Sequence, residues 1–369
     1  MRTRQTKKGT AQMMKLNYFL SLNSYIDILK SSDEPIFIYG MGDGCLKVLK
    51  IFDEYSIPCA GIFASDEFVR DKVFMGHKIR RLSEIEEMVE RFTVVLAFGA
   101  GYRSLMDKID DIAKRHRLIV PDMPVIGDGL FTKDYLKSNF DKLNRVYELL
   151  ADEQSRYCYE KLIEFKITGD IKCLKDCETS PDEVFESVLA VNENEIYADL
   201  GAYTGDTVLQ LLEYTKGSYD KIYAIEPNAR NSRKLRENMS ALDNITVIQA
   251  AAGDKDGKIT VSKGGGRMIH RSDSGIEIDS VRLDTVLDGK PCTYIKYDVE
   301  GSESDAINGS YKTITEYAPK LCAAIYHRTQ DIFDIPLRIH SLRPDYSLYV
   351  RHFPYYPAWD TNVYAVIKH

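Results

Sequence analysis

The chain has 369 residues and a formal net charge of −7 at pH 7, and 44% of its residues are hydrophobic. The composition is that of a globular protein, and the length predicts two or three domains. An acidic balance argues against a broad surface for nucleic acid or anionic membranes, so we expect no nucleic-acid partner.

The apolar stretches, the N-terminal residues and the cysteines all predict a protein of the cytoplasm. No apolar stretch approaches the roughly 20 residues that span a bilayer, so we expect no membrane span. The basic start MRTRQTKKGT is not followed by the apolar run of a signal peptide. The seven cysteines are scattered and odd in number, which predicts reduced thiols and a cytoplasmic protein.

Residues 1–30 are predicted to be an N-terminal tail and a first helix, and residues 31–130 a small α/β domain. PIFIYG is typical of a short buried strand, GMGDG of a tight turn, and PCAGIFA and TVVLAFG of two further strands. Asp43 is expected to cap the helix after the turn, with Leu46 and Phe52 on its buried face. Strands that alternate with helices in this way predict a parallel, Rossmann-like sheet.

The turn of this first domain carries an incomplete dinucleotide motif. Gly40 and Gly42 fit the pattern G-x-G-x-x-G, but Cys45 stands at the third glycine position. Asp66 follows the second strand, where dinucleotide folds place an acid that binds a ribose. We expect NAD to bind weakly or not at all. The domain is expected to help hold a nucleotide-sugar or glycan acceptor, or only to pack against the rest of the chain.

Residues 131–190 are predicted to form a helical connector. In YLKSNFDKLNRVYELLADEQSRYCYEKLIEF, apolar residues recur every three or four places among many charged ones. The simpler interpretation is a linker that packs on both domains. The alternative is a surface through which two copies of the chain form a homodimer.

Residues 191–369 are predicted to form a second α/β domain. Five stretches are predicted as strands, namely EIYADLG, KIYAIEPN, ITVIQAAAG, CTYIKYDVEG and LCAAIYH. YSLYVRHF and NVYAVIKH, near the end of the sequence, are typical of a closing antiparallel pair. Five parallel strands followed by such a pair form the Rossmann-like sheet of a class I methyltransferase. An insert before the fourth strand, KITVSKGGGRMIHRSDSGIEI, predicts a hairpin with a tip at residues 264–266.

The turn after the first of these strands, YADLGAYTGDTV, indicates the kind of ligand. Asp199, Gly201 and Gly205 do not have the G-x-G-x-x-G spacing, and an acid before the turn repels a phosphate but attracts a cation. A Cβ at Gly201 is expected to collide with the ligand. Glu226 ends the second strand, where an acid accepts hydrogen bonds from two ribose hydroxyl groups.

A ligand with a ribose and a positive charge but no phosphate matches S-adenosylmethionine. We therefore predict this cofactor for the second domain. The residues expected to bind it are Asp199, Gly201, Tyr203, Gly205, Asp206, Glu226 and Asp254.

Two carboxylates follow the fourth strand in YIKYDVEGSES. Asp298 and Glu300 are two positions apart, so they point to the same side if the strand continues through both. Ligands bind at the carboxyl ends of parallel strands, and carboxylates gathered there often have shifted pKa values. The alternative is structural, with Glu300 capping the next helix or pairing with Lys296.

The stretches DLGAYTGDT, AIEPN, RLDTVL and IKYDVEGSES together resemble the FkbM family of S-adenosylmethionine-dependent methyltransferases. The resemblance covers residues 192–369 and implies methyl transfer, usually to a hydroxyl group of a sugar or natural product. Tyr203 stands where many members have Asn, so the packing around the methionine part of the cofactor is expected to differ. The family's run Ile-Lys-x-Asp-x-Glu-Gly-x-Glu is matched at Ile295, Lys296, Asp298, Glu300, Gly301 and Glu303.

For such a reaction we expect Asp298, Glu300 and His327 to be the catalytic residues. An alcohol is a poor nucleophile until a base removes its proton, and it must lie in line with the methyl group. Asp298 is the first candidate for a residue beside the transferring methyl. A neutral His327 at the end of the fifth strand suits proton removal near pH 7, and its alternative role is packing or capping. No third carboxylate follows a matching strand, so no metal is predicted.

The acceptor is expected to be a small molecule or a glycan that contacts the insert and the C-terminal stretch. Tyr355, Tyr356 and Trp359 in RHFPYYPAWD suit the faces of sugar rings, and they equally suit a hydrophobic lid. The insert contains three basic residues, Arg267, His270 and Arg271. They suit a phosphate or an acidic sugar, or they belong to a solvated loop.

Two further functions remain open from the sequence. One is a nicotinamide-dependent enzyme that modifies sugar nucleotides in the first domain, which the incomplete glycine motif disfavours. The other is a non-catalytic binding protein that keeps the fold, which the intact Asp199, Glu226 and Asp298 disfavour.

Overall fold

A computed structural model of the chain describes residues 13–66, 69, 73–127, 129–261 and 275–368. Its strands are β1 (Ile36–Tyr39), β2 (Gly61–Phe63), β3 (Val73–Phe74), β4 (His77–Arg80), β5 (Thr93–Leu96), β6 (Arg117–Ile119), β7 (Ile196–Leu200), β8 (Lys221–Ile225), β9 (Ile245–Ile248), β10 (Ala251–Ala252), β11 (Gly257–Val261), β12 (Ile276–Val281), β13 (Tyr294–Tyr297), β14 (Lys320–Ala324), β15 (Ser347–His352) and β16 (Thr361–Val366).

The helices complete the list of elements. They are α1 (Leu16–Ser21), α2 (Tyr25–Lys30), α3 (Asp43–Tyr55), α4 (Leu82–Met88), α5 (Arg103–Arg115), α6 (Lys133–Leu149), α7 (Glu153–Thr168), α8 (Ile171–Lys175), α9 (Asp206–Tyr214), α10 (Ala229–Asn238), α11 (Leu283–Leu287), α12 (Glu303–Asn308), α13 (Tyr311–Tyr317) and α14 (Asp331–Leu342), with a π-helical segment at Glu183–Val188. In the part of the chain that the structure describes, no helix is long and apolar enough to cross a membrane.

The first α/β unit is built on a sheet with the strand order β3-β4-β2-β1-β5-β6. The pairs β4–β2, β2–β1, β1–β5 and β5–β6 are parallel, and β3–β4 is antiparallel. All four residues of β1 and all four of β5 are buried. Uniformly apolar strands such as these are covered on both faces, which is the usual environment of a parallel sheet.

Helix α3 differs from the sequence prediction at its start and on its buried face. Gly42 is the residue before the helix, and no side chain caps it. Asp43 instead forms an ion pair with Lys47, at 3.3 Å. Leu46, expected inside, is 42% exposed. The residues that α3 buries are Cys45, Val48, Ile51 and Phe52.

The close packing of Gly44 explains why α3 buries a different face from the one predicted. A Cβ on Gly44 would lie 2.0 Å from the carbonyl oxygen of Ala97, so the helix packs directly on the end of β5. Cys45 is fully buried in the core beside it. The third glycine of a dinucleotide motif allows close packing of helix and strand. Here Gly44 provides that close approach although Cys45 stands at the third position. Weak or absent NAD binding stays a prediction.

Helices α6 and α7 join the two α/β units. Their starts are capped as their sequences suggest: Thr132 accepts a hydrogen bond from the Tyr135 amide and Asp152 from the Ser155 amide, at 3.1 and 2.7 Å. Helix α6 packs against α14 and α7 against β15, which belong to the second unit. A homodimer through this region stays a prediction.

The second α/β unit contains a seven-stranded sheet in the order β15-β16-β14-β13-β7-β8-β9. The strands β9, β8, β7, β13 and β14 are paired in parallel. β16 is antiparallel to both β14 and β15, so the chain ends in an antiparallel hairpin. The carboxyl ends of β7, β8 and β13 are thereby placed side by side.

The insert before β13 forms a small sheet of its own, in the order β10-β12-β11. β11 and β12 are antiparallel, as the sequence predicted for the hairpin, with Gly257 opposite Ser280 and Val261 opposite Ile276. The predicted tip at residues 264–266 and the three basic residues beside it lie outside the described residues: Arg267, His270 and Arg271.

The two units share an interface and a common core. Ala100 in the loop after β5 pairs with Tyr356 through two backbone hydrogen bonds of 2.7 and 2.9 Å. The Ile126 amide donates to the His327 carbonyl, at 2.9 Å. One hydrophobic cluster contains Phe37 of the first sheet together with Val350 of the second. The loops of the first unit therefore lie against the loops that end β14 and follow β15.

Candidate active site

A cleft opens at the carboxyl ends of β7, β8 and β13. Its walls come from the turns after these strands, the β10–β11 region and the end of β14. The residues that line it are Gly201, Tyr203, Asp206, Thr207, Glu226, Pro227, Asn228, Asn231, Ala251, Ala252, Gly253, Asp254, Ile259, Val261, Ser280, Lys296, Asp298, Val299, Glu300, Ser302, Asp305 and Tyr326. Five of the seven predicted cofactor-binding residues are among them, the exceptions being Asp199 and Gly205.

The glycine turn after β7 shapes the floor of this cleft. Gly201 has a φ of +91°, and a Cβ there would lie 1.9 Å from the carbonyl oxygen of Asp298. The collision predicted for Gly201 is therefore with the neighbouring strand end and not with a ligand. Gly205 precedes α9, and its Cβ would meet the Met239 side chain at 2.5 Å, so its role in this structure is packing.

Asp199 lies beneath the cleft and not on its wall. Its side chain is fully buried, accepts a hydrogen bond from the Thr207 hydroxyl, and lies 3.8 Å from the Lys296 ammonium. Burial raises its pKa, which Lys296 and Thr207 partly offset. Asp199 is therefore not among the residues that line the cleft, and its contact with a cationic ligand, direct or through water, stays a prediction.

Glu226 occupies the position that the sequence predicted, at the end of β8. Its two carboxylate oxygens accept hydrogen bonds from the Tyr203 and Asn228 amides, at 3.1 and 2.9 Å. Asn231 adds a side-chain donor at 3.3 Å. Burial raises the Glu226 pKa, and these donors counteract the shift. The carboxylate is thus held rigidly at the cleft wall, with lone pairs left for ribose hydroxyl groups.

Asp298 follows the last residue of β13 and lines the cleft. Lys296 donates to Oδ2 at 3.0 Å and the Tyr326 hydroxyl donates to Oδ1 at 3.1 Å. Burial raises the Asp298 pKa, but Lys296 and His327 outweigh it and hold the pKa at about 2. Asp298 is therefore a permanently charged carboxylate and a weak base.

Glu300 reaches the cleft through a turn and not through a continued strand. β13 ends at Tyr297, and Glu300 has a φ of +51°. Glu303 accepts hydrogen bonds from the amides on either side, Val299 at 2.9 Å and Gly301 at 3.3 Å. Lys296, which the structural alternative paired with Glu300, forms an ion pair with Asp298 at 3.0 Å.

His327 lies directly behind the two carboxylates, with 1% of its surface exposed. Nε2 is 3.5 Å from Asp298 Oδ1 and 3.6 Å from Glu300 Oε2, and Nδ1 is 2.9 Å from Glu303 Oε1. Burial lowers its pKa, but the three carboxylates outweigh burial and raise the pKa to about 9. The expectation of a neutral histidine is therefore wrong: His327 is an imidazolium near pH 7 because acids surround it.

Asp298, Glu303 and His327 each offer a ligand atom within 4.8 Å of the others, which is a spacing that a metal ion requires. Part of their binding capacity is already in use. Lys296 and Tyr326 donate to Asp298, while two amides and the imidazole contact one oxygen of Glu303. The other oxygen of Glu303 has no hydrogen-bond partner among the described residues. An added cation would also face the Lys296 ammonium. We interpret the group as an ion-pair network, and the absence of a metal stays a prediction.

The C-terminal aromatic residues meet the first unit. Tyr356 is 1% exposed, and its hydroxyl donates to Asp110 at 3.2 Å, so it serves the interface and not an acceptor. A Cβ on Gly99 would lie 2.7 Å from the Tyr355 hydroxyl and 2.8 Å from the Trp359 ring. These two rings are packed against the loop after β5 and are partly exposed.

Several residues of the site escaped the sequence prediction. Lys296 lies on β13, two positions before Asp298. Side chains two positions apart along a strand lie on the same face, and this spacing could have predicted their pairing. Glu303 could be singled out from the sequence only because it matches the last position of the family's Ile-Lys-x-Asp-x-Glu-Gly-x-Glu run. The side chains of Thr207, Asn231 and Tyr326 were not predicted, because each meets its partner across the turn or gap between two different elements of the fold.

Residues 199–347 match the family model described as the methyltransferase FkbM domain. The chain is 26% identical over 208 residues to the 2-O-methyltransferase NoeI of Sinorhizobium fredii (strain NBRC 101917 / NGR234), a match that covers 48% of this chain and 82% of NoeI.

The crystal structure of the methyltransferase FkbM from Methylobacillus flagellatus KT is similar over both α/β units. It superposes with a TM-score of 0.70 at 20% identity, and the match covers 95% of this chain and 98% of that one. The predicted α/β methyltransferase fold is therefore confirmed. Residues 199–347 thus form a methyltransferase domain similar to that of the FkbM family, with S-adenosylmethionine as its cofactor.

Proposed function

We propose that the protein transfers a methyl group to a hydroxyl group of a sugar, a glycan or a natural product. The observation that carries the proposal is that one cleft is lined both by Glu226, at the expected ribose position, and by Asp298 and Glu300. NoeI, named as a 2-O-methyltransferase, supports a hydroxyl acceptor.

The donor set of the cleft suits S-adenosylmethionine. Lys296 is the one lysine or arginine among the described residues that line the cleft. Six carboxylates line it as well, namely Asp206, Glu226, Asp254, Asp298, Glu300 and Asp305. Such a surface favours a ligand with a sulfonium and an ammonium group over a phosphate. When bound, the cofactor supplies an electrophilic methyl group.

The chain's own residues would position the acceptor and take its proton. The acceptor oxygen forms a bond to the methyl carbon while the carbon–sulfur bond breaks, and the hydroxyl proton passes to a carboxylate. Asp298, with a pKa of about 2, is suited to orient the hydroxyl and not to keep its proton. We therefore assign the proton acceptor to Glu300, which lines the cleft beside it.

The test uses S-adenosylmethionine with a tritiated methyl group and a panel of neutral methyl glycosides, nucleotide sugars and amino sugars. We expect transfer to a hydroxyl-bearing acceptor. Glu300→Gln should lower kcat about 10²-fold, since a positioned base contributes 10²–10⁴-fold. The affinity for S-adenosylhomocysteine should not change, and Glu316→Gln on the exposed face of α13 is the matched control. Transfer confined to amino groups, or normal kcat in Glu300→Gln, would contradict the assignment.

A further inference from the structure

We propose that Glu303 is a positioning residue for methyl transfer, which holds the Glu300 turn and orients His327 toward the two carboxylates of the cleft. This inference rests on the proposed function, because it concerns how the acceptor side of the same cleft is arranged. Glu303 itself is not among the described residues that line the cleft.

The first part of the argument is the turn. Glu300 has a positive φ, a conformation that is unfavourable for a non-glycine residue. The Glu303 carboxylate accepts from the amides of Val299 and Gly301, which flank Glu300. These two charge-assisted hydrogen bonds to a buried carboxylate stabilise the turn. The direction of the Glu300 side chain thus depends on Glu303.

The second part is the imidazole. The orientation and charge of a histidine follow from the partner of its other ring nitrogen. Here Oε1 of Glu303 lies 2.9 Å from Nδ1 as an ion-pair contact, and Nε2 on the opposite side of the ring lies 3.5 Å from Asp298 and 3.6 Å from Glu300. The resulting imidazolium lies between one fully buried acid and two acids on the cleft wall.

The charged groups around His327 come from three elements. Glu303 lies on α12, Asp298 and Glu300 follow β13, and Asp331 begins α14. The Tyr326 ring lies 4.2 Å from the imidazole. Because Glu303 is the nearest acid, removing its charge should lower the pKa of His327 and leave Asp298 and Glu300 to repel each other. Asp298 and Glu300 would then no longer be held in position for the acceptor, although neither residue had been changed.

The decisive variant is Glu303→Gln, which keeps an oxygen for the two amides and removes the charge. NMR titration of His327, assigned with His327→Gln, should give a midpoint near 9 in the wild type. In Glu303→Gln the midpoint should fall by about one pH unit or more. With the glycoside that the wild type methylates best, kcat should fall about 10-fold or more while KM for the cofactor holds.

Three results separate this inference from the proposed function. If Glu303 acts through His327, the double variant Glu303→Gln/His327→Gln should turn over at the rate of His327→Gln alone. A wild-type midpoint near 6.5 would overturn the inference even if Glu303→Gln failed to fold, and so would an unchanged midpoint in that variant. Absence of S-adenosylhomocysteine binding by the wild type would instead overturn the proposed function.

Discussion

At the scale of single residues, the site is defined by opposite pKa shifts. Against the effect of burial, Lys296, followed by His327, holds the pKa of Asp298 at about 2, and Glu303, followed by Asp298, raises the pKa of His327 to about 9. Both groups keep their charge across the neutral range. Because a general base works best with a pKa near the working pH, we assign proton acceptance to the remaining candidate in the cleft, Glu300.

On the side of the cleft where we expect the cofactor to bind, the residue to test is Glu226. Glu226→Ala should weaken S-adenosylhomocysteine binding by about 1–3 kcal/mol, because charged hydrogen bonds to the ribose are lost and the Tyr203 and Asn228 amides lose their acceptor. Calorimetry of the purified variant measures this. Glu237→Ala, on the exposed face of α10, is the control and should bind normally. Wild-type affinity in Glu226→Ala would show that the ribose lies elsewhere.

At the scale of elements, a buried arginine ties the connecting helices to the second sheet. Arg351 on β15 is 2% exposed. Its guanidinium donates to Asp152 at the start of α7, to Ser155 in α7 and to Glu183 in the π-helical segment, at 2.8, 2.6 and 2.9 Å. Burial raises the Asp152 pKa, but Arg351 and Ser155 together bring it below its usual value. One side chain thus fixes two elements, α7 and the π-helical segment, to the sheet.

Arg351→Ala should reduce the free energy of unfolding by about 2–3 kcal/mol. The loss is at the lower end for a buried ion pair because Asp152 and Glu183 are each 34% exposed and stay hydrated. Urea denaturation measures it. Arg233→Ala removes a pair whose members are 70% and 67% exposed, and it should change stability by less than about 1 kcal/mol. Equal effects of the two substitutions would refute the role of Arg351 as a tie between elements.

At the scale of the whole molecule, the two α/β units are joined by a continuous hydrophobic cluster and by the loops at their facing ends. Gly99 and Gly101 leave room for the Tyr355 and Trp359 side chains, and Ala100 pairs with Tyr356 between them. Because Ile126 of the first unit bonds to the backbone of His327, the first unit also supports the acceptor side of the cleft.

This arrangement predicts that the units unfold together. Trp359, the only tryptophan in the chain, reports on the interface, whereas far-ultraviolet circular dichroism reports on both units. The two signals should give one coincident urea transition. Saturating S-adenosylhomocysteine should shift both equally, by about 2.7 kcal/mol at a ligand concentration of one hundred times Kd. Separate transitions would mean that the interface contributes little to stability.

The sequence by itself was enough to place Glu226 and Asp298, because both follow an apolar run that predicts a strand, and the carboxyl ends of parallel strands meet at one edge. The same local patterns predicted the five parallel strands, the closing hairpin and the hairpin of the insert. Apolar alternation and turn residues depend on neighbouring positions, so they are visible without a structure.

Only the tertiary structure decided the contacts between distant positions. The partner of Gly201 is the Asp298 carbonyl and not a ligand, and Asp199 lies under the cleft because Lys296 and Thr207 cover it. His327 was expected to be neutral because its isolated pKa is near 6.5. Its charge is set by acids that the fold brings to it from α12 and from the turn after β13, and no local pattern contains that information.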